Sequence, residues 1–130
     1  MPTEKSVLAE GPVNAVLPAE DADRAKAFYR DGVGLEVEDL TPGYFWVFGG
    51  EGTRFLVFQR ERTKAEHTVA GFSVKDLEAV VADLRGRGVV FLEYDQPGLK
   101  TVNAIADQGP VRSAWFADTE GNIVGITQGM

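Results

Sequence analysis

Residues 67–88 read HTVAGFSVKDLEAVVADLRGRG. The second half of this stretch spaces its apolar residues as a helix does. Leu77, Val80, Val81 and Leu84 fall at i, i+3, i+4 and i+7 and form one stripe. Asp76 stands where an N-cap is needed, Glu78 suits the positive first turn, and Arg85 and Arg87 suit the negative last turn. Gly88 follows as the left-handed stop. The first half, HTVAGFSV (67–74), reads as a strand leading into that helix.

The same pattern occurs earlier in the chain. VNAVL (13–17) precedes DADRAKAFYRDGVG (21–34), with Asp21 as cap, Ala25, Phe28 and Tyr29 as stripe, and Gly32 or Gly34 as stop. Asn14 lies as far before Asp21 as Val69 lies before Asp76. Each helix is followed by three β-rich stretches: GLEVEDL, YFWVFGG and TRFLVFQ, then VVFLEY, RSAWFAD and NIVGITQ. Strand, helix and three strands thus recur at an offset of about 55 residues, the mark of a duplicated supersecondary unit. The expectation is an α+β fold of two tandem βαβββ units, 12–60 and 66–128, in one domain spanning 12–130 behind a loosely held arm at 1–11. Residues 95–110, DQPGLKTVNAIADQGP, interrupt the second unit as a long loop, either a binding loop or irregular surface.

Composition sets outer limits on function. The chain has 130 residues, 44% of them hydrophobic, which suits one well-filled core. With no cysteine there are no disulfides, thiolate metal sites or cysteine nucleophiles. A net charge of −7 argues against nucleic acid, whose binders need cationic surface, and an acidic field favours cationic small molecules. No apolar run is long enough for a membrane span or resembles a secretory signal, so a soluble cytoplasmic protein is expected. The glycine-bearing stretches lack the Lys-Ser/Thr of a phosphate loop, and no serine sits in a nucleophile elbow.

Three stretches together resemble the vicinal oxygen chelate superfamily of glyoxalases, bleomycin-resistance proteins and extradiol dioxygenases. They are VLPAEDADRAKAFYRDGVGL, FSVKDLEAVVADLRGRGV and AWFADTEGNIVGIT, the last with Thr119 where the family has proline. The resemblance implies a cup-shaped mixed sheet with helices on its outer face, a ligand on the concave side, and a homodimer. It also implies four metal-ligand positions, which fall here on Asn14, Leu56 or Val57, Val69 and Gly125. Aliphatic side chains and glycine have no lone pair to offer, and a lone amide is a poor ligand, so no metal and no cofactor are expected.

His67 is the only histidine. Strand alternation would place it with Val69, Gly71 and Ser73 on one face, toward the cup. Three roles stand open for it: ligand contact, a structural hydrogen bond at the strand's start, or acid–base chemistry. A shifted metal site of His67, Gln59 and Asp95 would have one good ligand. Aromatic residues supply the other candidates. Trp46, Tyr94 and Trp115 suit a half-wet wall that stacks on a flat or cationic guest, with Asn14 and Gln59 as polar contacts. The expectation is a metal-free cup that binds a small aromatic or cationic molecule, for sequestration or resistance. The alternative is a glyoxalase-like lyase, isomerase or dioxygenase-type enzyme with His67 or Tyr94 as proton carrier.

Overall fold

A computed structural model describes residues 4–64 and 66–129. The first unit comprises β1 (Val16–Ala19), α1 (Ala22–Ala27), β2 (Val37–Thr41), β3 (Tyr44–Phe48) and β4 (Arg54–Gln59). The second opens with β5 (Thr68–Val74) and α2 (Leu77–Gly86). A small hairpin of β6 (Asp95–Gln96) and β7 (Leu99–Lys100) follows, then β8 (Ala106–Gln108), β9 (Val111–Ala117) and β10 (Ile123–Gln128). The first sheet runs β1-β4-β3-β2 and the second β5-β10-β9-β8. In each, the strand before the helix pairs parallel with the last strand, and the remaining pairs are antiparallel. The duplication read from the sequence is therefore a duplication of topology.

Both helices begin as their sequences specify. Asp21 accepts a hydrogen bond from the Arg24 amide at 3.0 Å, and Asp76 accepts one from the Ala79 amide at 3.1 Å. Gly34 and Gly88 end the helical segments at φ of +83° and +93°, where a Cβ would be strained. At Gly34 a Cβ would also lie 2.5 Å from the Arg87 guanidinium, so the two units pack closely there. Beyond Ala27 the first helix continues as a π turn over Phe28–Gly32, which carries Tyr29 into the core.

One face of each sheet meets the helices. Leu17, Ala19, Phe45, Val47, Phe55 and Val57 from the first sheet are buried with Ala25 and Tyr29; Ala114, Phe116, Val124 and Ile126 are buried with Leu77, Val81 and Leu84. These residues form a single core running through both units. Alternation then sends the opposite set of side chains to the other, open face of each sheet.

The turn Asp118-Thr119-Glu120-Gly121-Asn122 fastens the units together. The Tyr29 hydroxyl donates to Asp118 at 2.7 Å, and Asn122 Nδ2 donates to the Pro18 carbonyl at 2.9 Å. Glu120 accepts from Arg24 Nε at 2.8 Å and from the Asp21 amide at 3.0 Å, with its side chain only 1% exposed. Burial by itself would raise the Glu120 carboxyl pKa. Hydrogen bonds from Arg24, the Asp21 amide and Thr119 outweigh it and hold the group at about 2. Burial, then the neighbouring Asp118 charge, push the Tyr29 phenol well above its usual range, so it stays a neutral donor.

The fourth strand of the second sheet departs from expectation. VVFLEY does not form a continuous strand. Phe91 bridges Phe116, and the Leu92 amide donates to the Trp115 carbonyl at 2.8 Å. The chain then leaves the sheet and returns as β8, which pairs with the other end of β9. The excursion is stitched at its base: Thr101 Oγ1 donates to Glu93 at 2.6 Å and accepts from the Tyr94 amide at 2.8 Å, while the Ala104 amide donates to Glu93 at 3.2 Å. Residues 95–110 are therefore partly strand, with β7 lying against β8. In the N-terminal segment, residues 4–11 carry one exposed 3-10 turn, Val7–Glu10; residues 1–3 of the expected arm lie outside the described residues. Among the described residues no helix is long and apolar enough to cross a membrane.

Candidate functional site

The open faces are where the two units differ. In the first sheet, Val16, Leu56 and Trp46 sit side by side on adjacent strands. The corresponding row of the second sheet is Gly71, Gly125 and Trp115. Each unit thus places a tryptophan on its third strand, beside two aliphatic side chains in one case and two glycines in the other. The Trp115 indole lies along the glycine row. A Cβ on Gly125 would meet its Cδ1 and Nε1 at 3.4 Å, and Thr68 Cγ2 at 3.2 Å. Tyr94 stands edge-on to Trp115, with ring centroids 5.4 Å apart and planes at 87°. Below them Ser113 and Thr127 share a hydrogen bond at 3.3 Å.

On the first sheet's open face, Val16, Tyr44, Trp46, Phe48, Leu56 and Phe58 make a continuous apolar surface, with Val16 52% and Tyr44 42% exposed. Tyr44 and Phe58 stack at 6.3 Å. The Arg54 guanidinium lies 3.8 Å from the Trp46 ring centroid and covers one side of it.

The sequence candidates separate in space. Trp115 and Tyr94 come together. Trp46 belongs to the other sheet. Asn14 lines a groove of about 670 Å³ between the units, with Arg54, Phe55, Gly71, Ser73 and Lys75, and its amide donates to the Ala15 carbonyl at 3.2 Å. Gln59 lies on the helix side of β4, in line with buried Val57, and accepts from the Ala22 amide at the start of α1 at 3.3 Å. The expected alignment of His67 with Gly71 fails for a specific reason. The register of β5 against β10 slips between Thr68 and Ala70, so Val69 is an extra residue and alternation reverses across it. Thr68, not His67, shares the face of Gly71 and Gly125, and His67 is exposed on the bend before β5. Val69 packs against the core.

The residues at the metal-ligand positions of the resemblance offer no donor set. They are a backbone-bonded amide, aliphatic side chains and a glycine. Among the described residues no three His, Cys, Asp or Glu gather at one point. What the arrangement provides is a half-buried indole packed over the buried Gly125, with a phenol edge-on to it and the Ser113–Thr127 hydroxyl pair next along the strands. The glycines were visible in the sequence; that they lie beside Trp115 required the strand register.

A family model described as the Glyoxalase/Bleomycin resistance protein/Dioxygenase superfamily matches residues 11–126. No curated protein matches the chain. Among solved structures it is similar to UcmS2, at 20% identity over 88% of this chain and 94% of that one, with a TM-score of 0.67. A glyoxalase/bleomycin resistance protein/dioxygenase from Alicyclobacillus acidocaldarius matches at 16% identity over 91% and 90%, with a TM-score of 0.70. The fosfomycin resistance protein FosX from Listeria monocytogenes matches at 14% identity over 92% and 93%, with a TM-score of 0.66. At these identities the likeness concerns the fold.

Proposed function

The chain belongs to the Glyoxalase/Bleomycin resistance protein/Dioxygenase superfamily, and on that footing we propose that it binds a small aromatic molecule without a metal ion. The observation that carries the reading is the row Gly71, Gly125 and Trp115. Gly125 lets the Trp115 indole pack against the sheet beside the Thr68 methyl, so that the half-exposed outer side of the indole is the flat apolar wall for a planar guest. Tyr94 holds that indole edge-on.

A half-cup on each unit favours completion by a second copy. The first sheet's open face leaves Val16 52% and Tyr44 42% exposed, and a homodimer that sets it opposite the second sheet of a partner would cover them and enclose the guest. Sequestration fits this geometry better than turnover. A proton carrier at Tyr94 needs an orienting carboxylate, and the adjacent acid, Glu93, is occupied by Thr101 and the Ala104 amide.

The test is fluorescence quenching of protein dialysed against chelator, titrated with planar bicyclic aromatics. Saturable quenching that is lost in Trp115→Ala supports the reading. Quenching that appears only after a divalent metal is restored overturns it.

A further inference from the structure

The chain carries 20 acidic residues against 13 Lys and Arg, yet its cations are unevenly used. Arg24, Lys26, Arg30, Arg85, Arg87 and Arg112 all lie in ion pairs. Lys5, Arg54, Arg60, Arg62, Lys64, Lys75 and Lys100 have no carboxylate within ion-pair distance among the described residues. Five of these seven fall in residues 54–75, where the only acids are Glu61 and Glu66. This segment runs from β4 through the connection between the units and along β5.

Two of these cations meet an apolar floor. Arg62 and Lys64 line a groove of about 560 Å³ with Leu92, Ala117, Gly121 and Ile123. That floor continues the open face of the second sheet. Ala117 is one pleat beyond Trp115 on β9, Ile123 pairs with Thr68, and the Leu92 amide is bonded to the Trp115 carbonyl. The Arg62 guanidinium lies against Gly121, whose backbone, at φ of +87°, has no side chain to displace it. The acids of the neighbouring turn are already engaged: Asp118 by Tyr29 and Asn122, and Glu120 by Arg24 and the Asp21 amide. Arg54 and Lys75 sit instead in the groove between the units, where Glu51 shares the lining and offsets one charge.

We infer that the guest of the second sheet is an aromatic anion, its ring against Trp115 and its carboxylate, phosphonate or sulfonate group at Arg62 and Lys64. This rests on the binding reading above and names the class of ligand. The net charge of the whole chain points the other way, toward cations. At a distance of one or two pleats the local unpaired charge decides, because salt screens the distant carboxylates over about 10 Å.

The experiment compares three probes of one shape, 2-naphthoate, 2-naphthalenemethanol and 2-naphthylmethylammonium, by quenching and calorimetry. Naphthoate is expected to bind tightest, with an affinity that falls as salt rises. Arg62→Gln with Lys64→Gln is expected to weaken naphthoate roughly tenfold, the scale of a lost charge-assisted contact, and to leave naphthalenemethanol unchanged. Lys75→Gln, which removes a single charge from the other groove, is expected to change neither. Equal or tighter binding of the ammonium or alcohol probe overturns the anion inference while sparing the binding reading. Failure of all three probes overturns both.

Discussion

The two sheets share a topology and differ in what they show to the outside. On the helix side both units bury the same kind of residue at the same places: Phe45 and Val47 in one, Ala114 and Phe116 in the other. On the open side, one row reads Val16, Leu56, Trp46 and the other Gly71, Gly125, Trp115. In a duplicated fold the core face is held to one apolar pattern by burial, whereas the free face diverges. A surface filled with aliphatic side chains suits contact with protein. A surface where glycine seats an indole against the sheet suits a small planar guest.

The contrast of faces is tested most strongly by neighbouring residues on one strand. Phe116→Ala should cost about 3–5 kcal/mol of stability, because it opens a cavity in the shared core. Trp115→Ala, one position away, should cost far less in urea unfolding but abolish ligand quenching. Equal losses of stability would show that the second sheet has no separate open face.

The inter-unit clamp comes next in size. Glu120 has its folded-state pKa depressed to about 2 from an ordinary 4.5, so its contribution is present above about pH 4.5 and is lost as pH falls toward 2. That contribution is on the order of 2 kcal/mol. Glu120→Gln should therefore lose stability at pH 7 and show a shallower decline in urea midpoint between pH 5 and 2 than the parent protein. Parallel curves for the two proteins would remove Glu120 from the account.

Smaller effects sharpen the comparison of the two tryptophan rows. Gly125→Leu makes the second row resemble the first, and should displace the indole and weaken an aromatic guest at least tenfold while the protein stays folded by circular dichroism. Arg54→Ala uncovers Trp46, should cost about 0.5–1 kcal/mol, and should shift the Trp46 emission to the red without touching the second sheet.

Much of the fold was legible because its signals are local. Asp21 and Asp76 cap the helices, Gly34 and Gly88 end the helical segments, and the apolar stripes lie inward. The site was less legible because strand alternation gives parity, not which face is which, and one bulge inverts it. Val69 is that bulge, and it separates His67 from the face of Gly71. Gln59 likewise follows Val57 onto the helix side. The split fourth strand was hidden because Phe91 and Leu92 reach β9 from one side of the excursion and Ala106 from the other. The turn at 118–122 marked the fold in sequence, but its work as a clamp depends on Tyr29, Arg24 and Pro18, far away along the chain.

The most direct test uses Trp46→Phe, which leaves Trp115 as the only indole. After dialysis against chelator, titration with 2-naphthoate should give saturable quenching of the remaining emission at one site per chain. An unchanged emission spectrum across the titration, in a protein that circular dichroism shows to be folded, would contradict the account.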